Sequence, residues 1–119
     1  MLIINRVDPN FWTEVERRAK NLLIDMDLVG FYQLLQSNRK SVLRLKQACE
    51  SFLYTEYCQE DIVSFWLSLQ SRPEVIGLID CFGSRRKMII QRGLNGESYS
   101  IAVLYVVVRD LMNSEPVNN

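Results

Sequence analysis

Two short runs of the 119-residue chain concentrate positive charge. Residues 39–46 carry Arg39, Lys40, Arg44 and Lys46, and residues 85–92 carry Arg85, Arg86, Lys87 and Arg92, with no acid in either run. Brought together in space, the two would make a patch able to hold a phosphate or an acidic partner. Kept apart, they are solvated helix faces, the usual fate of a charge run. Residues 47–80 between them hold Glu50, Glu56, Glu60, Asp61, Glu74 and Asp80 against Arg72 alone. No glycine-rich phosphate loop accompanies the cations: neither GxxxxGKS/T nor GxGxxG occurs.

The acids and thiols suggest less chemistry. Glu56, Glu60 and Asp61 could bind a divalent cation or do acid–base work. The simpler reading is negative charge in the first turn of a helix, where the helix dipole favours it. A reactive thiol needs a neighbouring cation or a helix N-terminus. Cys58 has Glu56, Glu60 and Asp61 around it instead, and Cys49 and Cys81 fall in apolar stripes, so all three read as small core residues. The chain contains no histidine. That removes Ser-His-Asp and Cys-His arrangements and the commonest general base at neutral pH. Three cysteines without histidine do not make a four-ligand zinc site, nor does an odd number make a secreted disulfide scaffold. The expectation is a non-enzymatic protein with no catalytic, cofactor-binding or metal-ligating residues.

Helices must position these groups. Asp8-Pro9 reads as a helix start, with Asp8 capping and Pro9 in the first turn. Phe11, Trp12, Val15, Ala19, Leu22, Leu23 and Met26 follow on one stripe. Asp27 caps a second helix through Leu28, Phe31, Tyr32, Leu34 and Leu35, which Ser37-Asn38 ends. Val42 to Leu69 is the organising stretch: Val42, Leu45, Cys49, Phe52 and Glu56 share a face that Leu53 widens, and Ile62, Phe65, Trp66 and Leu69 resume the pattern. The face lapses at residues 56–60, so two helices are expected. Ser71-Arg72-Pro73-Glu74 has the form of a capping box, opening a short helix that Gly83 stops.

From Glu50 to Trp66, ESFLYTEYCQEDIVSFW resembles the FLxxEYSxENIxFW segment of regulators of G-protein signalling. Phe52, Leu53, Glu56, Tyr57, Glu60, Asp61, Ile62, Phe65 and Trp66 match in kind. One extra residue falls between Ile62 and Phe65, and the rest of that domain's pattern is absent. The fold and function readings rest on the other features.

Residues 87–108 admit two readings. Asn95-Gly96 is a hairpin signal that would pair residues 87–93 with 98–108. Ile101, Leu104, Tyr105, Val108, Leu111 and Met112 instead fit a helical stripe. Four valines favour strand, but an element from Glu97 to Met112 is long for one, and helix is the reading adopted. The expected fold is therefore mostly α, a bundle of five or six short helices in one domain over residues 1–113, with a disordered tail at 114–119. The alternative is α+β, with Leu2–Arg6 and the C-terminal hairpin in a small sheet.

Composition fits a soluble globular domain, at 48% hydrophobic and 24% charged with zero net charge. The longest apolar run, Ile101 to Val108, is far short of the ~20 residues a membrane span needs. The first residues lack the apolar core of a signal peptide, so a cytoplasmic location is expected. A helix over residues 99–108 is apolar on nearly every face and needs cover on both sides. A second copy of the chain is the expected cover. Tyr54, Tyr57, Tyr99, Val103, Val106 and Val107 are accordingly the expected partner-binding residues. The functional expectation is an interaction or regulatory module that binds a protein partner. The alternative is a nucleic-acid-binding accessory protein using the two basic runs.

Overall fold

A computed structural model describes residues 8–116 as six α-helices and one 3-10 turn, with no strand among the described residues. Helix α1, Pro9–Ile24, starts where the sequence signals it: Asp8 accepts from the Asn10 amide at 2.9 Å and Pro9 occupies the first turn. Asp27 likewise caps α2, Leu28–Leu53, accepting from the Gly30 amide at 2.9 Å.

Helix α2 does not end at Ser37-Asn38 as expected. It runs on to Leu53 with a kink at Asn38, whose backbone leaves the helical region (φ −136°, ψ 35°). The Asn38 side-chain amide donates to the Leu34 carbonyl at 3.3 Å, a local bond that competes with the helical ladder and lets the chain bend without stopping.

The break expected near residues 56–60 is present. Helix α3, Gln59–Gln70, begins after Cys58, whose amide donates to the Asp61 carboxylate at 2.9 Å. The Cys58 thiol donates to the same carboxylate at 3.2 Å. Helix α4, Pro73–Asp80, follows after only Ser71 and Arg72. The capping box predicted on Ser71 and Glu74 does not form. Ser71 already closes α3, its hydroxyl donating to the Ser68 carbonyl at 3.0 Å, and Arg72 is left as the residue before α4.

The 3-10 turn Gly83–Arg85 leads into α5, Arg86–Leu94, and α6 spans Ser100–Asn113. The hairpin alternative is therefore overturned. Asn95-Gly96 is a turn, but a helix stop: the Gly96 amide donates to the Gly93 carbonyl and the Glu97 amide to the Arg92 carbonyl, both at 3.0 Å. That is the bonding of a Schellman motif, and Gly96 supplies its left-handed φ of 67°. The strand considered at Leu2–Arg6 lies outside the described residues. Within the expected tail, Glu115 pairs with Arg39 at 2.5 Å; positions 117–119 lie outside the described residues.

One hydrophobic cluster draws on α1, α2, α3, α4 and α6, and Ile89 and Ile90 of α5 pack against it. Helix α6 is its axis. Ile101, Ala102, Val106, Val107 and Val108 are at most 2% exposed, because α1 and α2 pack along α6 while α5 and α3 touch it elsewhere. Its all-round apolar face is thus covered within one chain. The case for a second copy as cover lapses, since Val106 and Val107 are fully buried and Val103 is 8% exposed.

Candidate functional site: an arginine-rimmed cleft

Helix α1 buries Phe11, Val15, Ala19 and Leu22 against α6. Its helical period then brings Arg17, Arg18 and Asn21 to the edge of that contact. Helix α5 approaches the same side of α6, and the 3-10 turn before it delivers Arg85. A cleft of about 430 Å³ opens between them, within the size range of ligand sites. Leu22, Phe82, Ile89, Val103 and Leu104 contribute apolar lining. Arg17, Arg18, Arg85 and Arg92 are four arginines among its lining residues, and Glu97 is the one acid there.

Each arginine is held in place. Arg17 and Arg18 both donate to Glu14, Arg18 at 2.9 Å. Arg18 also donates to Glu97 at 2.5 Å, and its guanidinium carbon lies 4.4 Å from the Tyr99 ring centroid. Tyr99 in turn stacks on Phe11 with ring centroids 5.2 Å apart. Arg85 donates to the Asn21 carbonyl at 2.6 Å and to Asp25 at 3.1 Å. Arg92 lies 3.5 Å from Glu97. Burial opposes the charge of Arg18, but Glu14 and Glu97 outweigh it and raise its pKa above the ordinary arginine value. The site is a set of acid-paired arginines beside an apolar floor, chemistry that can take up an anion carrying apolar groups.

Hydrogen bonds from Arg17 and Arg18 hold the Glu14 carboxyl down at about 2, against 4.5 ordinarily. A carboxyl whose folded pKa is depressed stabilises the fold above its unfolded pKa and loses that contribution as pH falls through the folded one. The thermal midpoint is expected to drop between pH 4.5 and pH 2, and to drop less steeply in Glu14→Gln. Parallel midpoint–pH curves for the two proteins would show that Glu14 adds nothing.

The sequence clusters are redistributed by the fold. Arg85 and Arg92 line the cleft, whereas Arg86 and Lys87 line a second groove of about 550 Å³ with Trp66, Ile79 and Ile90. Arg86 pairs with Asp80 at 3.1 Å. Arg39, Lys40, Arg44 and Lys46 sit on α2, which packs on α4 and α6 and contributes no residue to the cleft. The two basic runs do not form a shared cleft. Of the expected partner-binding residues, Tyr54 is 68% exposed, Tyr57 is 3% exposed and Tyr99 reaches the cleft. Arg17, Arg18 and Glu97 were not singled out from sequence. A signal existed: Arg85 and Arg92 are seven apart and so share a helix face, but nothing local ties them to α1.

Cys49 is buried and its thiol is pushed up to about 12, out of reach as a nucleophile at neutral pH. Among the described residues, no group of three or more histidine, cysteine or carboxylate side chains is placed to hold a metal ion, and no helix is long and apolar enough to cross a membrane. No protein family, curated protein or solved structure matches this chain.

Proposed function

We propose that this protein is a non-catalytic binding module that captures a protein partner by seating an acidic, partly apolar segment in the cleft between α1, α5 and α6. The supporting observation is the convergence of four arginines from α1, the 3-10 turn and α5 on one apolar-floored cleft. Such a surface offers charge complementarity for register and on-rate, and apolar burial for affinity. Ser100, the cleft's serine hydroxyl, donates to the Glu97 carbonyl at 2.8 Å, and no histidine exists to activate it. This favours binding over catalysis. Nucleic acid is the second reading. The dispersal of the basic runs over separate surfaces weighs against it, as does the pairing of Arg39 and Arg86, outside the cleft, with acids of the same chain.

Fluorescence anisotropy separates the two. The probes are a labelled peptide with glutamate and leucine at helical spacing, its glutamine counterpart, and single- and double-stranded DNA. The acidic peptide is expected to bind and the glutamine peptide to bind at least about tenfold more weakly, as the loss of complementary charge requires. Arg85→Ala with Arg92→Ala should remove the preference. Sub-micromolar DNA binding with a log–log salt slope of about −3 to −4, lost on replacing Arg85, Arg86 and Lys87 by alanine, would instead establish the nucleic-acid reading.

A further inference from the structure

Glu97 occupies a position that the backbone sets. It follows Gly96, and its amide closes the α5 stop by donating to the Arg92 carbonyl at 3.0 Å. From that point its carboxylate reaches Arg18 at 2.5 Å and Arg92 at 3.5 Å. Arg18 itself lies over Tyr99, its guanidinium carbon 4.4 Å from the ring centre. A carboxylate held between two arginines beside an apolar cleft is the geometry an anionic guest would adopt.

We infer that the gap between Arg18 and Arg92 is the anion subsite of the cleft, that Glu97 is its resident competitor, and that a partner's carboxylate binds by taking the place of Glu97. The inference rests on the acidic-partner reading and adds how affinity is set. The charge arithmetic supports it. Glu14 serves Arg17 and Arg18, Asp25 serves Arg85, and Glu97 serves Arg18 and Arg92, so three acids face four arginines. Without Glu97, Arg92 has no acid among the described residues. The Glu97 side chain is 34% exposed and that of Arg92 42%, so the carboxylate already meets water and can turn out into it when another anion takes its place. The turn itself is held by main-chain hydrogen bonds and survives the loss of the carboxylate.

The test measures the glutamate–leucine peptide against the parent, Glu97→Gln and Glu97→Gln/Arg92→Gln, with thermal unfolding of each protein as the control for folding. Glu97→Gln is expected to bind about fivefold more tightly, the scale of a single side-chain ion pair, and adding Arg92→Gln should abolish that gain. Unchanged or weaker binding by a folded Glu97→Gln protein would overturn the inference, since Glu97 would then be holding the arginines in position. Binding by none of the three proteins would overturn the cleft reading itself.

Discussion

Trp66→Ala lowers folding stability by about 3–5 kcal/mol, the cost of emptying a large aromatic site in a packed core. Trp66 is 1% exposed and shares the buried face of α3 with Ile62 and Leu69. Its indole Nε1 is buried and has no hydrogen-bond partner among the described residues. Truncation therefore breaks no hydrogen bond, and the loss is one of packing and apolar burial. With a urea slope of about 1–3 kcal/mol/M for a domain of this size, the midpoint should fall by more than about 1 M. A midpoint within error of the parent would place Trp66 at the surface, outside the packing of α3 against α5.

Gly93→Ala is the companion experiment, and its sign is what makes it informative. In an open helix the change to alanine is favourable by about 0.8–1 kcal/mol. Here a Cβ built on Gly93 would lie 2.0 Å from Cδ2 and 2.2 Å from Cε2 of Trp66. No rotation of a flexible tip relieves that contact, because the obstacle is a fused ring held in the core. Helix α5 must back away from α3, and overpacking of this kind costs about 1–3 kcal/mol or more. In a Trp66→Ala background the added methyl enters vacated space. The two changes should then couple by about 0.5–3 kcal/mol in a double-mutant cycle read by urea unfolding. Additive losses would mean that the clash is not why glycine stands at 93. The pair bears on function as well, since α5 carries Arg92 and follows Arg85. A displaced α5 would loosen the arginine array, so Gly93→Ala should weaken peptide binding without touching the cleft.

Local signals survive into the structure wherever a backbone group needs a nearby partner. Asp8-Pro9 and Asp27 start helices because their carboxylates satisfy amides two or three residues on. The lapse in apolar spacing at 56–60 marks a true break, and the stripe of α1 is buried where its period places it. Signals that serve two structures were not decidable in this way. Asn-Gly supplies a positive φ equally to a hairpin and to a helix stop, and only the bonds of Gly96 and Glu97 back to α5 distinguish them. The valines of α6 incline locally to strand, but α1 and α2 enclose them, and burial outweighs a propensity worth tenths of a kcal/mol per residue. Ser71 could cap α4 by its sequence, yet the two-residue link makes it the end of α3.

The helical class, the main helix starts and the buried stripes were thus determined by the sequence, because capping and amphipathic period act over a few residues. The cleft was decided by tertiary structure alone. Arg17 and Arg18 read as ordinary solvent-facing charges of α1, and Arg85 and Arg92 as members of a run with Arg86 and Lys87. It takes the packing of α1 and α5 against α6 to bring the first four around one apolar floor, and the turn of α5 to send the other two to a different groove. Charge adjacent along the chain diverges by about 100° per residue on a helix, so which cations act together depends on what each helix packs against.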